Sequence, residues 1–246
     1  VEIYGQGVYR HDSSFVAALF KGTDVVTLFV GIPLLLVGYL FYRRNSLRGS
    51  IFLIGILLYF LYIGVTYTFS AIFNSLFLVY TALFSAALFA TILALSTFDR
   101  QHLADKVNSR MPHRGLAIFM FVAGLGTLML WLSELIGPLM AGHAPANLGP
   151  YTTMFTHGFD TAVITPACVI TGIYLLKRRT LGYLLVAPLL ILCTLIGVVV
   201  IGQTVSQTLA GFVFPIGVYI GMIGSWVVMG AFAIGLSIRY FRNVSE

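Results

Sequence analysis

Hydrophobic residues occur along this chain in long, uninterrupted runs separated by short polar segments. A helix that crosses a bilayer needs about 20 apolar residues, and seven runs qualify. They lie at about 24–42, 50–70, 74–97, 116–140, 154–176, 181–205 and 212–238. The runs do not alternate every second residue, which excludes a transmembrane β-barrel. Backbone amides in lipid must then be satisfied within helices. The pattern therefore predicts an all-α, polytopic membrane helix bundle with seven transmembrane helices.

The predicted organisation is a single integral membrane domain, 1–246, in which 1–23 is an outer pre-membrane segment. This segment is too polar to span, but it carries enough apolar residues for a short amphipathic helix capped by Asp12 or Ser13. Two interpretations stay open. The segment is a membrane anchor, or it is a lid that brings Tyr9 and its neighbours close to polar residues in the membrane. The chain begins at Val1 without an initiator Met, which leaves open the removal of an earlier segment.

The composition agrees with a membrane protein, because 59% of the residues are hydrophobic and only 9% are charged. A soluble domain is about 25% charged, and so few charges cannot cover the surface of a soluble globule. Disorder, a nucleic-acid-binding domain and an ordinary cytosolic enzyme are excluded. The expected partner is membrane lipid rather than nucleic acid, with a homo-oligomer or a larger membrane complex as alternatives.

The basic residues indicate an orientation. Twelve of the fourteen lysines and arginines follow the first, third, fifth and seventh runs, and only Arg10 and Lys21 lie on the other side. Cytoplasmic loops carry the excess of Lys and Arg. We therefore predict a multi-pass protein of the plasma membrane with an extracytoplasmic N-terminus and a cytoplasmic C-terminus. The net charge of +6 then reflects topology and requires no acidic partner.

An internal repeat is suggested by the first and fifth runs. Each has an aspartate at the outer end (Asp24, Asp160), a proline in the outer half (Pro33, Pro166) and a basic stop. This predicts two parallel three-helix units, runs 1–3 and 5–7, joined by the fourth helix. Chance similarity among helices rich in Leu and Gly is the alternative.

Ionisable residues within the predicted helices are the candidate functional residues. A charge at the bilayer centre costs roughly 2.5–3.5 kcal/mol, so such residues are functional candidates by default. His157 precedes Asp160 by three residues, which places both on one helix face. The topology puts all the candidates in the outer half, where they are expected to form one ligand-binding cluster. The predicted set is Asp24, Asn74, Trp131, Glu134, His157, Asp160 and Gln203.

Three chemistries fit this set. The first is a divalent metal cofactor, since one imidazole and three carboxylates suit zinc, manganese or iron. Its ligands would be Asp24, Glu134, His157 and Asp160. The second is a proton relay or a general acid and base pair. The third is a structural network in which Arg10 and Lys21 pair with the acids.

The sequence lacks the motifs of several known membrane proteins: for example, the seventh run has no lysine for a retinal Schiff base. It does contain the segments YGQGVYRHDSSFVAALFKGTDVVTL, FNSLFLVYTALFSAALFA, LWLSELIGPLMAG, HGFDTAVITP and GIYLLKRRTLGY. In these it resembles a family of prokaryotic seven-transmembrane-helix proteins with no assigned activity. The resemblance covers most of the chain and implies a fold without a mechanism.

The predicted function is that of a membrane protein with an outward-facing intramembrane polar pocket, which binds or transports a small ligand or cation. One alternative is an intramembrane metal-dependent hydrolase that acts on lipid-like substrates with the same residues. Another is a structural subunit of a larger membrane complex.

Overall fold

The structure is a computed structural model that describes residues 4–246, and this range is α-helical without a β-strand. Seven helices are long and apolar enough to cross a membrane. We name them span 1 to span 7 in chain order: Ser14–Arg43, Leu47–Ser70, Phe77–Ser96, His113–Met140, Phe155–Leu176, Thr180–Leu209 and Ile216–Arg242. The chain is therefore a multi-pass membrane protein, and the predicted all-α class with seven transmembrane helices is confirmed. Its orientation and its internal repeat stay predictions.

Span 1 begins earlier than the hydrophobic run that predicted it. The helix starts at Ser14, where the Ser13 hydroxyl accepts a hydrogen bond of 3.3 Å from the backbone N–H of Val16. Of the two predicted caps, Ser13 is therefore the one used. Asp12 is fully buried instead, and its carboxylate accepts a hydrogen bond of 3.0 Å from the backbone N–H of Ile72. The second half of the predicted pre-membrane segment is thus continuous with span 1.

Two spans contain a wide, π-helical turn shortly before a proline. These turns are Thr27–Gly31 in span 1 and Asp160–Ile164 in span 5, and each ends two residues before its proline, Pro33 or Pro166. Proline has no N–H to donate, and its ring displaces the carbonyl of the preceding turn, so the helix widens there. A third π-helical turn, Tyr219–Ile223, lies in span 7.

The chain divides into two compact units: unit 1 is Val1–Met111 with Ala187–Glu246, and unit 2 is Pro112–Val186. Unit 1 contains spans 1, 2, 3 and 7 with most of span 6. Unit 2 contains spans 4 and 5 with the first turns of span 6. This division differs from the two three-helix units that the predicted repeat would give.

Unit 1 packs around span 2, whose Ile51, Ile56 and Tyr59 are fully buried. Spans 2 and 3 meet closely at Gly64, where an added Cβ would lie 2.9 Å from the backbone of Phe84. Because lipid gives no hydrophobic drive for helices to associate, small residues of this kind promote contact by letting backbones approach.

Unit 2 is held by an equally close contact between spans 4 and 5. The hydroxyl of Thr165 donates a hydrogen bond of 3.1 Å to the carbonyl of Gly124. A Cβ added at Gly124 would lie 2.8 Å from that of Cys168. This contact fixes the two helices midway along their length and so determines which side chains meet at their ends.

Candidate functional site

The seven predicted site residues fall into two groups, one in each unit. Unit 2 contains four of them, and the structure brings these four together: Trp131, Glu134, His157 and Asp160. We call this set the unit 2 cluster. Asp24, Asn74 and Gln203 belong to unit 1 and are described separately below.

A hydrogen bond between a carboxylate and an imidazole forms the open part of the unit 2 cluster. His157 Nε2 lies 3.1 Å from Glu134 Oε2 and donates to it in the tautomer that carries a proton there. The side-chain amide of Asn147, from the loop after span 4, donates to the same oxygen over 3.3 Å. The Glu134 side chain is 29% exposed, whereas that of His157 is only 11% exposed. The acid is therefore reachable, and the imidazole behind it is held in place.

The second acid of the cluster lies deeper. Asp160 is 3% exposed, and its Oδ2 accepts a hydrogen bond of 3.0 Å from the indole Nε1 of Trp131. The Trp131 ring also packs on the His157 ring, with the ring centroids 4.0 Å apart. One indole therefore positions both the buried carboxylate and the imidazole.

The local sequence explains why these four residues meet. Trp131 and Glu134 are three residues apart on span 4, and His157 and Asp160 are three apart on span 5, so each pair shares a helix face. Spans 4 and 5 are consecutive and antiparallel, so the later residue of the span 4 pair contacts the earlier residue of the span 5 pair. Trp131 meets Asp160, and Glu134 meets His157.

The charges of unit 2 are separated along its helices. Both acids of the cluster lie toward the end of span 4 and the start of span 5, whereas Arg114 and Lys177 to Arg179 lie at the opposite ends. The cluster contains two carboxyl groups and no lysine or arginine. Such a set attracts a cation.

In unit 1, the Asp24 carboxylate is held by two tyrosines. Asp24 Oδ2 accepts a hydrogen bond of 2.8 Å from the Tyr9 hydroxyl, and Oδ1 accepts one of 2.7 Å from the Tyr67 hydroxyl. Tyr9 lies before span 1, and its pKa is raised above the usual range by burial and, to a lesser extent, by the neighbouring Asp24 carboxylate. A neutral phenol therefore donates to Asp24.

Asn74 and Gln203 make mainly structural contacts. The Asn74 side chain accepts a hydrogen bond of 2.9 Å from the backbone N–H of Leu76 and donates one of 3.3 Å to the carbonyl of Ile72, which orders the turn before span 3. Gln203, on span 6, donates a hydrogen bond of 2.9 Å to the hydroxyl of Thr23, the residue next to Asp24.

The contacts of the N-terminal segment test two expectations: the lid interpretation, and the pairing of Arg10 and Lys21 with the acids. Tyr9 lies in the short helix Gly7–Tyr9 and contacts Asp24, as the lid interpretation expects of that residue. Arg10 does not pair with Asp24: its guanidinium Nε donates instead to His11 over 3.1 Å. Lys21 is exposed. Among the described residues of unit 1, neither Arg10 nor Lys21 forms an ion pair with Asp24, so this part of the expected structural network is not formed.

Within the described part of the chain, no three His, Cys, Asp or Glu side chains are grouped so that they could hold a metal ion. Three of the four predicted metal ligands, Glu134, His157 and Asp160, belong to unit 2, and Asp24 belongs to unit 1. Within unit 2, Trp131 occupies Asp160 Oδ2, while Glu134 and His157 bind each other. The four-ligand metal centre stays a prediction.

Apart from Tyr9, which the lid interpretation names, two polar partners of the acids are missing from the predictions: Tyr67 and Asn147. Tyr67 resembles any tyrosine near the end of a span, where such residues are common because they anchor helices at the membrane interface. Asn147 lies in a loop, and its contact with Glu134 depends on how that loop folds back. Neither spacing nor composition distinguishes these two residues.

Comparisons with known proteins returned no match: no family model matches the chain, and no curated protein or solved structure is significantly similar to it. The site therefore has to be interpreted from its own chemistry.

Proposed function

We propose that this membrane protein binds a small cationic ligand at the unit 2 cluster, with Glu134 as the group that meets the ligand. The proposal rests on one observation: the two oxygens of the Glu134 carboxylate differ in their hydrogen bonds. Its Oε2 accepts hydrogen bonds from both His157 and Asn147, while no residue in 4–246 donates to its Oε1. One carboxylate oxygen of a partly exposed side chain is thus left for a ligand.

The arrangement around Glu134 favours binding because it is already ordered. The imidazole that holds Glu134 packs on Trp131, and Trp131 is fixed in turn by Asp160. A ligand that binds a preorganised site loses less of its binding energy to ordering side chains. A second carboxyl group, that of Asp160, lies behind the first and favours a positive ligand further when it is ionised.

On the predicted topology, this end of spans 4 and 5 faces the outside of the cell. The ligand would then enter from the extracytoplasmic side, as expected for a receptor or for the first binding step of an uptake protein. A divalent metal ion and a small organic cation share the positive charge that the cluster requires, and the experiment below distinguishes them.

The indole of Trp131 provides the measurement, because the chain has only two tryptophans. Trp226→Phe leaves Trp131 as the single tryptophan, in contact with His157. The purified variant is titrated with manganese chloride, zinc chloride and propylammonium chloride, and the Trp131 emission is recorded. We expect a saturable change with at least one of these probes. A response to the metals alone would favour the metal-centre hypothesis, and a response to propylammonium a site for organic cations.

Glu134→Gln is expected to abolish this change, since it removes the negative charge but keeps the shape of the side chain. Asp105→Asn is the matched control, because Asp105 is an exposed acid of the loop between spans 3 and 4 and should leave the titration intact. A saturable response that is unchanged in Glu134→Gln, or the absence of any response, would refute the proposal.

A further inference from the structure

Unit 1 contains a groove whose lining residues are all distinct from the residues of the unit 2 cluster. It has a volume of about 430 Å³ and lies between spans 1, 2, 6 and 7. Its walls are almost entirely apolar and include Phe52, Ile56, Leu195 and Ile238. Its ligand must therefore bring a hydrophobic portion of substantial size.

The same groove has two guanidinium groups among its lining residues, those of Arg48 and Arg242. The Nε of Arg48 donates a hydrogen bond of 2.7 Å to the carbonyl of Val244 and lies 3.8 Å from the Glu246 carboxylate. No described residue accepts a hydrogen bond from its two terminal NH₂ groups or from the Arg242 side chain. Arginine recognises phosphate through such N–H groups, two at a time.

These charges lie at one end of the groove. Arg48 is at the start of span 2 and Arg242 at the end of span 7, both on the predicted cytoplasmic side. Ile56 is eight residues further along span 2, which corresponds to about 12 Å of helix. The groove therefore begins between cations at the membrane surface and continues into the hydrocarbon region.

Two buried hydroxyl groups among the lining residues have no partner. Thr194 Oγ1 and Ser237 Oγ are enclosed, and neither makes a hydrogen bond to any residue in 4–246. A buried hydroxyl without a partner is costly, and in native proteins it calls for a ligand or a bound water. Ser237 is five residues from Arg242, about 7.5 Å of helix, which suits the ester carbonyl oxygens next to the phosphate of a phospholipid, whereas Thr194 lies deeper, fourteen residues into span 6.

We propose that this groove is a binding site for one anionic phospholipid of the cytoplasmic leaflet. Its phosphate is held by Arg48 and Arg242, and one acyl chain lies along Phe52, Ile56 and Ile238. Basic sites between transmembrane helices on this side of a membrane bind anionic headgroups. The arginines at the membrane surface and the apolar wall beyond them have the same order as the phosphate and the acyl chains of a phospholipid. This proposal is independent of the function proposed for the unit 2 cluster.

Native mass spectrometry of the full chain, purified in detergent, tests the proposal. Phosphatidylglycerol and phosphatidylcholine with identical acyl chains are added at equal molar ratio, and the retained lipid is counted. We expect phosphatidylglycerol to be retained in preference. Arg242→Gln should reduce its retention about fivefold, the factor that one basic residue at a membrane surface provides. Arg239→Gln removes the same charge from the same helix outside the groove and should leave retention unchanged.

A second pair of variants tests the apolar part of the groove. Ile234→Trp places a large ring in the groove and should displace the lipid. Ile220→Trp makes the same change on an exposed position of span 7 that does not line the groove, and it should have no effect. Both positions are exposed in this chain, so folding should survive either change, and melting temperature checks this.

Four outcomes of these experiments would overturn the proposal. Equal retention of the two lipids would show that the headgroup charge is not recognised. Equal losses in Arg239→Gln and Arg242→Gln would show a general effect of surface charge. Full retention in Ile234→Trp would show that the acyl chain does not occupy the groove. A mass of two chains without lipid would assign the groove to a second copy.

Discussion

His157 Nε2 lies 3.1 Å from Glu134 Oε2, and the two residues come from consecutive spans that run in opposite directions. The pair joins the end of span 4 to the start of span 5 across the loop that separates them. The pair is thus both the candidate ligand site and a contact that stabilises the packing of two helices. Ligand binding and stability can be measured separately.

The structural role of this pair predicts an energetic coupling between Glu134 and His157. In a double-mutant cycle with Glu134→Gln and His157→Phe, we expect a coupling of about 0.6–1.7 kcal/mol, the range found for hydrogen bonds between membrane helices. The phenylalanine keeps a ring against Trp131, so the cycle isolates the polar contact. Unfolding of the detergent-solubilised protein in sodium dodecyl sulfate gives the four stabilities.

His143 serves as the control for this cycle. It is an exposed histidine of the same loop that contacts its neighbour Ala144 rather than the acid. The coupling between Glu134→Gln and His143→Phe should be close to zero. If both cycles gave the same value, the effect could not be assigned to the hydrogen bond.

The tyrosine hydroxyl that holds Asp24 should contribute to the stability of unit 1. Tyr67→Phe removes the hydrogen bond of 2.7 Å to Asp24 Oδ1 and is expected to lower the free energy of unfolding by about 1 kcal/mol. Tyr42→Phe is the matched change at an exposed tyrosine and should have little effect. Equal stabilities of the two variants would mean that the Tyr67 contact contributes nothing measurable.

Tyr9 predicts a loss of stability at alkaline pH. Its pKa is raised in the folded chain, so the stability it contributes is complete below the ordinary value for tyrosine, about 10, and falls as the pH rises beyond that. The melting temperature should therefore decrease above this pH, and Tyr9→Phe should show a smaller decrease. A parallel decrease in both proteins would assign the effect to the other tyrosines.

Two glycines of span 4 predict opposite effects of the same substitution. Gly124→Ala places a methyl group 2.8 Å from Cys168 Cβ, and overpacking of this kind costs about 1–3 kcal/mol. Gly126 has open space at the same position, so Gly126→Ala should be neutral or stabilise the helix by up to about 1 kcal/mol. Thermal unfolding monitored by intrinsic fluorescence would compare them. Equal destabilisation would contradict the close contact between spans 4 and 5.

The orientation of the chain can be tested with added cysteines. The two native cysteines are buried, so a membrane-impermeant maleimide should label intact cells only weakly. Ala144→Cys, in the exposed loop after span 4, should be labelled in intact cells, and Ser109→Cys, in the loop after span 3, only after lysis. The reverse pattern would place the unit 2 cluster on the cytoplasmic side and the phospholipid groove on the outer side.

The sequence predicted the spans well, because membrane insertion depends on the length and hydrophobicity of each run. It also placed Trp131, Glu134, His157 and Asp160 in one predicted cluster, but together with Asp24, Asn74 and Gln203, and the spacing of three residues accounts only for the first four. Span 1 shows where this reasoning fails. Its helix does begin after Ser13, one of the two predicted caps, but hydropathy did not show that this helix continues into the first apolar run.

The partners of the acids could not be predicted, because they depend on how each span is rotated about its axis. The two π-helical turns before Pro33 and Pro166 illustrate this dependence, because they allow spans 1 and 5 to be aligned residue by residue. Counted from Pro33 and Pro166, Asp24 corresponds to His157, and Asp160 corresponds to Thr27. The internal repeat predicted from the sequence pairs Asp24 with Asp160 instead. Thr27 contacts Tyr59 over 2.7 Å on span 2, as Asp160 contacts Trp131 on span 4.

The π-helical turn of span 5 also protects the cluster from a change that would disrupt it in a regular helix. Such a turn contains one residue more than an α-helical turn, and one residue corresponds to about 100° of rotation. Deleting a single residue from 161–164 would let the helix close into a regular α-helix. His157 and Asp160 would keep facing span 4, because the turn had accommodated the extra residue, whereas the same deletion from a regular helix would rotate them by about 100°.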